Sequence, residues 1–200
     1  MTSRGDRNSM GARTARTALA ALGGWRYVGD TPKVRKAVCL AMPHTDNMDG
    51  LLMVLLTRSV GMRIEWMVKD TWGKGITGPI VRGVGGVPID RSRPNGMVGQ
   101  MIEAFANADD LLLVIPPEGT RSLTEYWKSG FYRIAVGAKV PVVPGLLDYR
   151  TKTGSFGPPI DMTGDVRTDM DRIRAHYGDV GKLARYPEKF GPIRLREEEA

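Results

Sequence analysis

The chain has 200 residues, a length that fits one domain with a sizeable core. Its composition, 42% hydrophobic and 26% charged, excludes general disorder, and its single cysteine excludes an intramolecular disulfide or a thiolate metal cluster. The net charge is +7, and no stretch approaches the ~20 apolar residues of a membrane-spanning helix.

Eight basic residues against two acidic ones fall within the first 43 positions, so this stretch carries +6 of the total. A basic arm is drawn to an anionic membrane by about 1 kcal/mol per Lys or Arg, and by charge alone it would attract nucleic acid as well. Residues 1–24 are read as a mobile arm and 25–200 as one folded domain. Residues 37–42 form a short, continuous apolar run, the pattern of a buried strand. Cys39 lies inside it and reads as an inert, buried thiol. Residues 48–60 are apolar and nearly free of breakers, which suits a helix, and residues 63–68 read as a second strand.

Residues 73–86 are rich in glycine, with a short helix expected over 76–82, and residues 86–89 read as a strand. Apolar residues at 97, 98, 101, 102 and 105 follow the spacing of an amphipathic helix over 95–107. Residues 111–115 are a strong strand, 126–136 a helix, 140–147 a strand and 165–177 a polar helix. Trp127, Phe131 and Tyr132 are assigned to the core, and His176 to the surface. Strands separated by helices predict an α/β layered domain with a mostly parallel central sheet flanked by helices. Chemistry in such folds sits in loops at the carboxyl ends of the strands.

Three loops stand there. In the first, Pro43-His44-Thr45-Asp46-Asn47-Met48-Asp49, a carboxylate in the opening turn of a helix can curl back to the imidazole. It would fix the tautomer and leave the other ring nitrogen as a base. Taken alone, this spacing better fits a helix-capping Asp beside a structural His. The second loop, residues 85–93, joins glycines to Arg91 and Arg93, which suits an anion site or a surface ion pair with Asp90. The third, residues 116–122, offers a glycine, two hydroxyls, Glu118 and Arg121.

Together and in this order, the loops resemble the motifs of the glycerolipid acyltransferases. His44 and Asp49 match the family's His-x4-Asp, Gly85 to Arg91 match its second motif, and Pro117 to Ser122 match its Pro-Glu-Gly-Thr-Arg-Ser. Val140 to Pro144 look like its fourth motif, which would shape a pocket near the acyl donor. Pro43 departs from the family's usual Asn, and Pro116 from its usual aromatic residue.

The resemblance implies direct transfer of a fatty acyl group from acyl-CoA or acyl-acyl carrier protein to a lysolipid or glycerol-phosphate hydroxyl, such as that of 1-acylglycerol 3-phosphate. His44 would be the general base and Asp49 its orienter. Arg91, Glu118, Gly119, Thr120 and Arg121 would hold the acceptor's phosphate. No metal, no other cofactor and no nucleic-acid partner are expected. The implied setting is cytoplasmic, peripheral at an anionic membrane surface. The same chemistry on a lyso-ornithine lipid, a glycolipid or another lysophospholipid is the alternative, ahead of a non-catalytic membrane- or nucleic-acid-binding protein.

Overall fold

The computed structural model describes residues 6–73, 77–90 and 96–199. In chain order it runs α1 (Met10–Ala21), β1 (Arg26–Tyr27), β2 (Lys36–Met42), α2 (Met48–Ser59), β3 (Glu65–Lys69), α3 (Thr77–Val84) and β4 (Gly86–Ile89). It continues through α4 (Gly96–Asn107), β5 (Leu111–Ile115), α5 (Gly130–Ala138), β6 (Val142–Asp148), β7 (Thr153–Phe156) and α6 (Val166–Tyr177). Among the described residues the strands form one sheet in the order β1-β7-β6-β2-β5-β3-β4, and of these strand pairs only β6–β7 is antiparallel.

The continuous apolar runs belong to the middle of this sheet because those strands are covered on both faces. In β2, Val38, Leu40 and Met42 point into one core with Leu113 of β5, Phe105 of α4 and Ile173 of α6. Ala37 and Cys39 point the other way, into a second core with Leu112, Leu19 of α1 and Leu52 and Leu56 of α2. Burying each large apolar side chain contributes on the order of 1.5–3 kcal/mol, so the two cores hold three layers together.

The basic segment placed outside the fold is built differently from that expectation. Residues 10–21 are helical, with the Ser9 side chain accepting the Ala12 N–H at the first turn. Ala12, Ala15 and Leu19 face inward, and the Arg16 guanidinium donates to the Ser59 carbonyl at the end of α2. The helix after the third loop starts at Gly130 and not at 126, because the chain at Trp127 is extended: it forms a parallel bridge with Leu195, and its N–H donates to the Arg194 carbonyl at 2.8 Å. The short strands β1, at the sheet edge, and β7, between it and β6, were not expected from the sequence. Gly85 adopts φ +106 where a side chain would strike the Ile64 carbonyl, and a side chain at Gly86 would strike Val81, so these glycines let the chain turn tightly between α3 and β3. Among the described residues no helix is long and apolar enough to cross a membrane.

Candidate active site

β5 and β6 flank β2 in parallel register, so the loops leaving all three strands emerge side by side. β2 ends at Met42, a cis peptide leads to Pro43, and His44 follows. On one side lies Glu118, from the loop after β5. Its side chain accepts the His44 backbone N–H, at 3.1 Å from Oε2 and 3.4 Å from Oε1. On the other side lies Tyr149, the residue after β6.

Asp49 sits in the first turn of α2, where the helix dipole favours a negative charge. Its Oδ2 accepts the N–H groups of Thr45 at 2.7 Å and Asp46 at 2.8 Å, and its Oδ1 accepts the Tyr149 hydroxyl. His44 Nδ1 lies 3.6 Å from Oδ2, an electrostatic contact longer than a hydrogen bond. Asp46 pairs with Arg185 at 3.1 Å and the Tyr186 N–H reaches Thr45 Oγ1 at 3.4 Å, so the carboxyl-terminal chain braces this loop.

The two carboxyls beside His44 differ in charge. Burial works against ionising Asp49, but the imidazole of His44, the Tyr149 hydroxyl and the N–H groups of Asp46 and Thr45 outweigh it and hold its pKa below the usual carboxylate range. Glu118 is 3% exposed, and burial pushes its pKa up to about 8 against the pull of the His44 N–H, with the nearby Asp49 charge adding to the rise. Tyr149 is raised by burial and by its carboxylate acceptor, which keeps it a neutral donor.

His44 and Arg121 line the same cavity, of about 680 Å³. Its remaining wall is largely apolar, formed by residues such as Leu51 and Val54 of α2, Trp66 and Met67 of β3, and Val114. The arrangement suits a molecule with an extended apolar part, an anionic group and a proton to lose.

The sequence-predicted residues therefore divide. His44, Asp49 and Arg121 come together. Glu118 stands behind the His44 backbone and not on the cavity wall, so the structure gives it a backbone-holding contact where the resemblance implied a phosphate ligand. Gly119, at φ +68, makes a turn in which a side chain would crowd Lys128, and Thr120 accepts the Ser122 N–H. Both are exposed on the loop outside the cavity lining. Arg91 lies outside the described residues. Asp90 just before it is tied by its backbone to the Gln100 side chain. The fourth motif enters β6, where Val142 and Val143 are fully buried core residues. Trp127 and Phe131 are core, Tyr132 is half-buried with its hydroxyl on Asp169, and His176 is exposed. Cys39 is fully buried, and burial drives its thiol pKa well up. Sequence reasoning missed Tyr149; its only signal was its place directly after a strand that a parallel sheet would set beside β2.

A family model described as Acyltransferase matches residues 26–147. No curated protein sequence matches the chain. Among solved structures, the 1-acyl-sn-glycerophosphate acyltransferase PlsC of Thermotoga maritima matches with a TM-score of 0.61 and 20% identity, covering 87% of this chain and 78% of its own. That likeness bears on the fold, a mostly parallel sheet between helices. The family match covers more than half of the chain and includes the His44, second-loop and Glu118–Ser122 segments, and by it the protein belongs to the acyltransferase family.

Proposed function

We propose that the protein transfers a fatty acyl group from acyl-CoA or acyl-acyl carrier protein to the hydroxyl of a phosphate-bearing lipid, 1-acylglycerol 3-phosphate being the first acceptor to test. The observation that carries this reading is the His44 imidazole, turned by Nδ1 toward the buried Asp49 carboxylate while its ring borders an apolar cavity shared with Arg121. The acceptor named for the Thermotoga maritima protein supports the choice of substrate.

In the reaction, His44 Nε2 removes the proton of the acceptor hydroxyl as its oxygen attacks the thioester carbonyl carbon. A tetrahedral oxyanion forms, the C–S bond breaks, and the thiolate takes the proton back from the imidazolium as the ester is released. Asp49 holds the ring and balances its transient positive charge. Glu118 fixes the backbone from which the ring projects. Arg121 meets the acceptor's phosphate by charge-assisted hydrogen bonds, and by family resemblance Arg91 joins it. The acyl chain lies along the α2 and β3 side chains. A lysolipid is met at a membrane, and the basic amino-terminal segment favours an anionic one.

The test is thiol release from palmitoyl-CoA with phosphate-bearing and neutral lysolipids. Wild-type protein is expected to prefer 1-acylglycerol 3-phosphate. His44→Ala should lose about 10²–10⁴-fold in turnover while its thermal unfolding stays close to wild type. Comparable turnover by a folded His44→Ala protein would sink the general-base role, and preference for neutral acceptors would sink the role of phosphate.

A further inference from the structure

We propose that Tyr149 is a positioning residue for the acyl transfer, holding the Asp49 carboxylate in the rotation that serves His44. The inference rests on the function proposed above. It also extends the site beyond the segment that the family model matches, which ends at residue 147.

The two oxygens of Asp49 have separate tasks. Oδ2 takes the Thr45 and Asp46 N–H groups and faces His44 Nδ1 at 3.6 Å. Oδ1 takes the Tyr149 hydroxyl. Backbone donors on one oxygen alone leave the carboxylate free to pivot about the bond that carries it. A donor on the second oxygen, arriving from a different strand, removes that freedom. It also draws charge toward Oδ1, which keeps Asp49 ionised and moderates its pull on the imidazole proton.

Tyr149 is itself well fixed for this task. Its N–H donates to the Leu183 carbonyl at 3.0 Å. Its ring meets the buried Trp25 ring edge-to-face, with centroids 4.8 Å apart. The titratable and charged groups facing the pair are His44 and Glu118 on the Asp49 side, and Asp46 and Arg185, which are bonded to each other. A Tyr packed only for its apolar body would not need its hydroxyl on a carboxylate that is 2% exposed.

Tyr149→Phe keeps the ring and removes the hydroxyl. The expected kinetic result is a roughly 3- to 30-fold lower kcat with the acceptor KM within about two-fold of wild type. A second readout needs no substrate. The carboxyl carbon of Asp49, identified in ¹³C spectra by its loss in Asp49→Asn, should titrate at higher pH in Tyr149→Phe. An unmoved Asp49 titration would overturn the proposal, as would an unchanged kcat in a protein that turns over acyl-CoA. Because the titration requires no turnover, it separates a wrong role for Tyr149 from a wrong substrate. Wild-type protein supplies a check independent of the variant's folding. A hydroxyl held by a buried carboxylate gives a downfield, slowly exchanging proton, and its absence would equally overturn the proposal.

Discussion

Two buried carboxyl groups stand beside His44; burial raises the pKa of both, and the donors each receives decide how far that rise is offset. Asp49 takes two backbone N–H groups and a phenol and faces an imidazole, whereas Glu118 takes a single N–H. Glu118 therefore keeps its proton up to about pH 8, against an ordinary value of 4.5. The folded state then binds a proton that the unfolded state releases, so stability falls as pH rises from about 4.5 to about 8. Glu118→Gln keeps an acceptor for the His44 N–H and removes the titration. Its melting temperature is expected to decline less than that of wild type between pH 5 and 8, measured by calorimetry. An equal decline would show that Glu118 does not hold its proton. His44 and Asp49 were legible because both lie within one short stretch that, in company with the two later loops, resembles a family's motifs. The contact of Glu118 with His44 spans 74 positions and depends on β2 and β5 being neighbours, which no local pattern records.

Among the elements, the central strands and α2, α4 and α6 announced themselves through apolar runs or helical spacing. Those that did not were short, or marked by small residues. β1 has two residues and takes its partner from β7 at the sheet edge. The inward stripe of α1 is Ala12, Ala15 and Leu19, too slight an apolar signal to stand out among arginines. Yet Leu19 is 1% exposed in the core that also holds Trp25, Leu52 and Leu56. Leu19→Ala should cost about 2–5 kcal/mol, read as a lower urea midpoint with an unchanged slope. A loss of under about 0.5 kcal/mol, the range of an ordinary surface substitution, would mean that α1 does not belong to the fold. The same packing makes removal of residues 1–24 a test of folding before it is a test of membrane attraction.

At the scale of the whole molecule, the order of the strands makes the site. From β2 the chain moves through α2 to β3 and β4 on one side of the sheet, and only later adds β6 on the other. The connections from β2 and β5 run in opposite directions, with α2 on one face of the sheet and α5 on the other, and the space outside the carboxyl ends of strands at such a reversal is where layered α/β sheets admit their ligands. The alternation of strands and helices made the class readable from sequence. It left the order open, because order is decided by pairing between distant segments. Cys39 lies at the middle of that order, wholly covered on β2 between β5 and β6. A maleimide dye that counts liberated coenzyme A should therefore ignore the native enzyme, while protein in urea takes up one equivalent, as intact-mass spectra would show. Dye uptake by native protein within minutes would contradict this. The lone thiol thus makes the chain its own gauge of sheet opening, since the pace of alkylation under mild denaturant would follow how often the middle of the sheet comes apart.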